Sequence, residues 1–464
     1  VSAEAQPSMS EPSAPVGGLA GYFKFDERGT NIAIELKAGL TTFFVMVYIV
    51  FVNASILGAG FKLDAAGVAA VAAGTALIAG IMTIAMGIVG NYPLALAAGL
   101  GINGIVAFSL TARGLSPEGA MGVIVLEGLL VTLLVIVGFR EAVMNAVPLA
   151  LKKSIGAGIG LFILFIGFVN GGFIVTPVGG VPIVSPVFPT TPAQFLFLAG
   201  LLFTIVLFVR KVPGALIISI AVITIAAIPL GVTKLPDPLY QAPSFATIGK
   251  FDLTNVFTVL GPLAAALTIF AIMLTDFFDT MGTVTGVASE AGLANEDGSV
   301  PGVGRLLLVD SVAAIAGGVG GVSSNTTFIE SAAGVAEGGR TGFTSIVTGV
   351  LFLLFIFLSP LAVFIPFQAT APALVLVGYL MFTQVKDVEI TDPEDGIPAL
   401  LTLVLMPLTY DITIGIGAGF ITWVVIKLAK GKVSEIHPLM WVVSAMFVVY
   451  FLQGWLNTLI ASPS

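Results

Sequence analysis

The chain has 464 residues, of which 57% are hydrophobic and only 9% charged. Its mean hydropathy of +1.09 is too high for a water-soluble domain to keep its surface wetted. With no cysteine, a single histidine (His437) and a net charge of −8, disulfides, thiolate chemistry and cysteine or histidine metal sites are excluded. Nucleic-acid binding is not suggested, because Lys427, Lys430 and Lys432 form the one basic cluster.

Residues Val1–Gly21 are rich in Ser, Pro, Ala and Gly and lack the basic and apolar regions of a signal peptide. They read as a disordered cytoplasmic tail, and residues 1–30 are placed outside the folded body. Apolar segments follow at Ile34–Leu57, Gly67–Val89, Ala98–Leu110, Gly119–Phe139, Ser154–Val169, Ala193–Val209 and Gly214–Leu230. A five-proline loop, Gly171–Pro192, separates the fifth from the sixth. The second series runs Val256–Ala288, Leu306–Gly318, Thr327–Glu337, Phe343–Leu358, Leu361–Phe382, Ile397–Thr409 and Ile412–Leu428. No Asp, Glu, Lys or Arg occurs between Lys153 and Arg210 or between Arg340 and Lys386, each interval being long enough for two helical crossings. A transmembrane β-barrel would instead alternate in strands of about ten residues.

The third segment of each series is abnormal. Gly, Pro, Ser and Asn interrupt both, and each is too short to span a bilayer. Paired interrupted segments mark a transporter site, and an odd number of crossings per series makes the second repeat inverted relative to the first. With the N-terminus inside, 14 Lys/Arg fall on the cytoplasmic side, Arg140 among them, against Lys62, Arg113, Lys234 and Lys250 outside, as the positive-inside rule requires. A final segment, Pro438–Ile460, fits neither series.

In the eighth segment Asp276, Asp279, Thr280 and Thr283 stand at i, i+3, i+4 and i+7, a polar stripe on an apolar helix. Intramembrane carboxylates cost several kcal/mol unless protonated, paired or wetted, so function is the default reading. Thr327 and Glu330 match a capping box at the start of the tenth segment and would point that helix end and its acid at the same cavity. Gly99-Leu100-Gly101-Ile102-Asn103-Gly104 reads as an extended glycine-rich stretch that lets a ligand approach bare backbone, ending in an amide. Glu127 and Asp310 read as structural partners. Asn53 reads as a partner for broken backbone nearby.

Three stretches, Ala38–Leu57, Thr275–Gly292 and Ser323–Gly342 ("SSNTTFIESAAGVAEGGRTG"), resemble the azaguanine/AzgA-like purine permeases, a branch of the nucleobase–cation symporters (xanthine/uracil permeases). The resemblance implies an all-α membrane protein of about 14 helices in a 7+7 inverted repeat. It implies a core domain (31–140 and 255–360) and a gate domain (141–254 and 361–464). It also implies import of adenine, guanine and hypoxanthine with protons, at the inner (plasma) membrane, by an elevator-like movement. Residue by residue it maps substrate binding onto Asp276, Glu330 and Asn103, with Asp279 as a second acid in proton coupling beside Asp276 and Glu330. From the residues themselves, Gly101, Thr327 and Phe328 are expected to bind substrate as well. Ala98 stands where the family commonly has proline, and Gly104-Ile105-Val106 where it has Ala-Phe-Phe, so Phe328, Phe44 or Tyr48 is left to stack on the base. No enzyme activity and no cofactor are implied, and a homodimer is compatible. Two rival readings compete: an anion exchanger or channel on the same architecture, and an intramembrane aspartyl protease. Several acids argue against the first, and the second lacks a Gly-x-Gly-Asp partner for Tyr410-Asp411.

Overall fold

The computed structural model describes residues 18–138, 146–175, 184–235, 242–295 and 299–461, with side chains to 452. Arg140, the middle of the five-proline loop and residues 1–17 lie outside that set. Helices α1 (Ile32–Phe61), α2 (Ala65–Gly90), α4 (Pro117–Val137), α5 (Leu149–Asn170) and α6 (Pro192–Val209) come from the first series. Helices α8 (Pro262–Glu290), α9 (Val303–Gly320), α11 (Gly342–Phe364), α12 (Phe367–Asp387) and α14 (Ile412–Ala429) come from the second. These ten are long and apolar enough to cross a membrane. Helices α3 (Leu100–Leu110) and α7 (Ala215–Ala227) are shorter. Helices α10 (Ser331–Ala336) and α13 (Pro393–Thr409) complete two sevens.

Short strands precede the two half-helices: β1 (Leu96–Ala98) before α3 and β2 (Asn325–Thr327) before α10. They pair antiparallel, with Ala97 opposite Thr326 at the centre. The inverted repeat is visible in the packing, because helix contacts come in equivalent pairs. Helix α2 packs on α11 as α9 packs on α4, and α6 packs on α12 as α13 packs on α5. Small residues bring these helices close, as expected where lipid supplies no hydrophobic drive for association. A Cβ on Gly80 would meet Gly349 O at 2.9 Å, and one on Gly160 would meet Gly378 O at 2.6 Å.

The polar groups that hold broken backbone are buried with it. Asn53 Nδ2 donates to Val322 O at 3.0 Å and to Thr75 Oγ1 at 2.8 Å, securing the chain before β2. Glu35, fully buried, accepts from Arg340 N, Thr344 N and Thr344 Oγ1 and so caps the entry to α11.

Three expectations change. Residues 18–30 are ordered: Leu19–Phe23 is helical, and Phe23 and Phe25 are buried against Phe343. The segment Val256–Ala288 is two helices, Leu253–Leu260 and α8, because Gly261 takes a φ of 77° and Pro262 restarts the chain at the first helical position. The last helix, α15 (Pro438–Ala461), packs along α14, with Phe447 buried against Phe420.

Candidate functional site

The β1–β2 pair is the floor of the site, and each outer strand edge is satisfied by the helix behind it. From α2, Thr83 Oγ1 accepts from Leu96 N at 2.9 Å and donates to Leu96 O at 3.0 Å. From α9, Asp310 Oδ1 accepts from Thr327 N at 2.9 Å. The ladder extends by Gly99 N to Ser324 O and Phe328 N to Ala95 O, both 2.9 Å. Such saturation lets irregular backbone lie within a membrane.

Above this floor is a cavity of about 320 Å³, at the small end of the roughly 300–1,000 Å³ typical of ligand pockets. The core side contributes Gly99 and, from the start of α3, Leu100 and Gly101, then Phe278, Asp279 and Thr283 from α8, and Thr326 to Glu330 from β2 and the turn after it. Across from them stand Lys153 of α5 and Val377, Met381 and Gln384 of α12. Tyr48 donates its hydroxyl to Glu330 Oε1 at 2.7 Å, leaving the other carboxylate oxygen to the cavity. The first-turn N–H groups of α3 have no intrahelical acceptor, so the glycine wall offers donors where Glu330 and Asp279 offer acceptors.

The structure brings Asp279, Glu330, Phe328, Thr327 and Gly101 together around one space. Asp276 and Asn103 are not among its lining residues. The stripe on α8 splits into two i,i+4 pairs: Asp279 and Thr283 face the cavity, while Asp276 and Thr280 face β2 and α9. There Ser324 Oγ donates to Asp276 Oδ2 at 3.1 Å and Thr280 Oγ1 to Asp310 Oδ2 at 2.8 Å. Asn103 is buried, with Nδ2 3.4 Å from Ala98 O and no protein partner for Oδ1.

Other details are corrected too. Leu100–Gly104 is helical, and the extended stretch lies earlier, at Leu96–Ala98. The Thr327–Glu330 capping box does not form, because Thr327 is held in β2 with its N–H on Asp310, and α10 begins after Glu330. Glu330 is therefore free to reach Tyr48 and the cavity. Phe44 is half exposed and is not a lining residue, whereas Tyr48, fully buried and joined to Glu330, lines the cavity together with Phe278 and Phe328. Sequence reasoning passed over Lys152 and Lys153, seen only as topology charges. Lys152 Nζ stands 5.3 Å from the centre of the Phe278 ring, and Lys153 lies 3.4 Å from Asp387 at the cavity's edge.

Broken, paired half-helices at the centre of two inverted sevens, with a ligand-sized cavity between two helix sets, define a membrane transporter fold of the core-and-gate class. The chain belongs to the Permease family, whose model matches residues 33–418, and the resemblance read from its motifs holds. It is 39% identical to the adenine permease AdeQ of Escherichia coli (strain K12), covering 93% of this chain and 96% of that one. It is 37% identical to the guanine/hypoxanthine permease PbuG of Bacillus subtilis (strain 168), covering 93% and 99%. Among solved structures, the transmembrane domain of the cyanobacterial bicarbonate transporter BicA matches with a TM-score of 0.60 at 15% identity, over 83% of this chain and 96% of that one. At that identity the likeness concerns the fold.

Proposed function

We propose that this permease imports the purine nucleobases adenine, guanine and hypoxanthine together with protons. The observation that carries the reading is the pair of carboxylates, Asp279 and Glu330, at a small cavity that also has three aromatic side chains and a glycine wall. A purine is flat and neutral, with N–H donors and ring-nitrogen acceptors on its edges. The carboxylates accept from the donors, the first turn of α3 donates to the acceptors, and Phe278 and Phe328 provide apolar faces. Anions would be repelled by both acids. The names of the bacterial relatives support the substrate class.

Asp279 and Glu330 are thus assigned to substrate, and Asp276 to the cluster behind them. Desolvated carboxyl groups gain and lose protons nearer neutrality than wetted ones, so coupling needs no histidine. Loading one proton and one base removes buried charge, and the core then slides against the gate. An empty site with both acids ionised crosses poorly. The positive-inside count supports a cytoplasmic N-terminus in the cell's inner membrane, and with it a cavity that extends toward the cytoplasmic ends of α5 and α12, where Lys153 and Gln384 lie.

Proteoliposomes test this. In sodium-free buffer, an imposed pH gradient should drive uptake of labelled hypoxanthine, and purine addition should alkalinise the outside. Adenine and guanine should compete, while uracil, nucleosides and sulfate should not. Sodium-dependent uptake with no pH change, or inhibition by uracil but not adenine, would contradict the proposal.

A further inference from the structure

Behind the cavity floor, Glu127 projects from the middle of α4 with no exposed surface. No hydroxyl, amide or amine of the described protein donates to either of its oxygens, and Asp276 Oδ1 is equally without a donor. The group that Glu127 meets is the carboxyl of Asp276 itself, within hydrogen-bonding reach. Asp310 of α9, again an acid, also acts on Glu127, and among the described residues none of the ion pairs reaches Glu127 or Asp276. Two ionised carboxylates in direct contact inside a dry helix bundle, with no cation beside them, would repel by far more than their packing could offset. A hydrogen bond between them therefore requires a proton on one.

Asp276 also has a route to the cavity. Thr326 neighbours Asp276, its hydroxyl lies 2.7 Å from that of Thr280, and it is itself a lining residue. Thr326 thus borders both the polar cluster behind the floor and the space assigned to substrate.

We propose that Glu127 and Asp276 form a carboxyl–carboxylate pair that binds the coupling proton, one layer behind the substrate-facing Asp279 and Glu330, with Thr326 as the connection between the two layers. This rests on the proton-symport reading above and adds to it a location separate from the substrate. It gives Glu127, which packs against no ligand, a role in coupling rather than in substrate binding. Moving the proton makes and breaks only O–H bonds: one carboxyl oxygen loses it as another oxygen, of Asp276 or of water in the cavity, gains it.

The test uses full-length protein in proteoliposomes with about one pH unit across the membrane, which drives about tenfold accumulation when one proton accompanies each base. Wild type should reach that level. Glu127→Gln should still exchange labelled for unlabelled hypoxanthine, yet its pH-driven accumulation should fall about tenfold, to equal concentrations inside and out. Accumulation by Glu127→Gln at the wild-type level overturns the inference, as does loss of exchange together with accumulation in a folded variant. Failure of wild type to accumulate overturns the symport reading instead. Infrared spectroscopy gives a second measurement: purine-free wild type should show the carbonyl band of a protonated carboxyl at pH 8, diminished in Asp276→Asn or Glu127→Gln, whichever folds. A wild-type spectrum without the band, or a variant spectrum that keeps it whole, overturns the pair.

Discussion

Leu96–Ala98 with the helix after it, and Asn325–Thr327 with the turn after it, occupy equivalent places in the two repeats and pair across the centre of the molecule. From Leu96 to Gly104 the first carries apolar or glycine residues except for Asn103, whereas the second carries Asn325, Thr326, Thr327, Phe328 and Glu330 within six positions. Their supports differ in the same sense. The outer edge of β1 is held by a neutral hydroxyl, Thr83, and that of β2 by a carboxylate, Asp310. Pseudo-symmetry thus governs backbone and packing and stops short of chemistry. One crossover presents main chain to the cavity, and the other presents side chains. Duplicated scaffolds can diverge in this way because the close helix contacts depend on small residues, while lining positions are released from packing.

The sharpest way to break this comparison is to remove the chemistry from the side-chain half. Glu330→Gln keeps volume and the contact with Tyr48 but loses the charge. A hydrogen bond to a charged group is worth about 1.5–3 kcal/mol, so hypoxanthine uptake should fall by roughly tenfold to a hundredfold. Asp279→Asn, on the facing helix, should fall similarly. Initial rates normalised to folded protein, measured by fluorescence-detected size exclusion, provide the check. Wild-type rates in both would show that the cavity acids do not carry substrate.

A milder test addresses the main-chain half. A Cβ on Gly101 would approach Ile159 Cγ2 to 2.8 Å and Met381 Cε to 3.5 Å. Gly101→Ala should therefore push the core wall away from α5 and α12, or narrow the cavity. Overpacking of this kind costs about 1–3 kcal/mol, and we expect roughly a tenfold loss of uptake, expressed mainly as a raised KM. An unchanged KM would mean that the glycine wall serves helix packing alone.

These two halves differ in how far the sequence discloses them. Interrupted apolar segments at matching positions are visible because hydropathy and Gly, Pro and Asn leave strong signals, and Asp279 and Glu330 stand out as acids where acids are costly. Strand pairing is not visible: three residues per strand, one apolar and one polar, give no period. That blind spot misplaced the starts of both half-helices. It turned Thr327 into a helix cap when its N–H is committed to Asp310. Register on α8 was the second loss, since a stripe at i, i+3, i+4 and i+7 does not say which pair faces a cavity and which faces a neighbouring strand. Glu35 escaped notice because it lies at the edge of an apolar run, where an acid reads as interfacial, although it is fully buried over the start of α11. Lys152 and Lys153 became site neighbours only through the placement of α5 against α8.

The finest test concerns Tyr48, which links the side-chain half to α1. Its hydroxyl donates to Glu330 Oε1 at 2.7 Å, and its ring is fully buried. Tyr48→Phe preserves that packing and removes one donor to the carboxylate, so the fold should be retained. What changes is the orientation of Glu330: with one oxygen no longer held, the carboxylate samples rotamers that turn both oxygens toward the cavity or away from it. Part of the binding free energy then goes into fixing it. A single hydrogen bond is worth about 0.5–1.5 kcal/mol net, and the expected result is a KM for hypoxanthine raised roughly three- to tenfold with a smaller change in maximal rate. A positioning role predicts this KM effect in Tyr48→Phe and a much smaller one when Glu330 is already Gln, because the tyrosine then orients an amide that has lost the ionised oxygens offered to the substrate. If Tyr48→Phe lowers transport equally in both backgrounds, the hydroxyl acts independently of Glu330, and the orientation of that carboxylate must come from the turn after β2 instead.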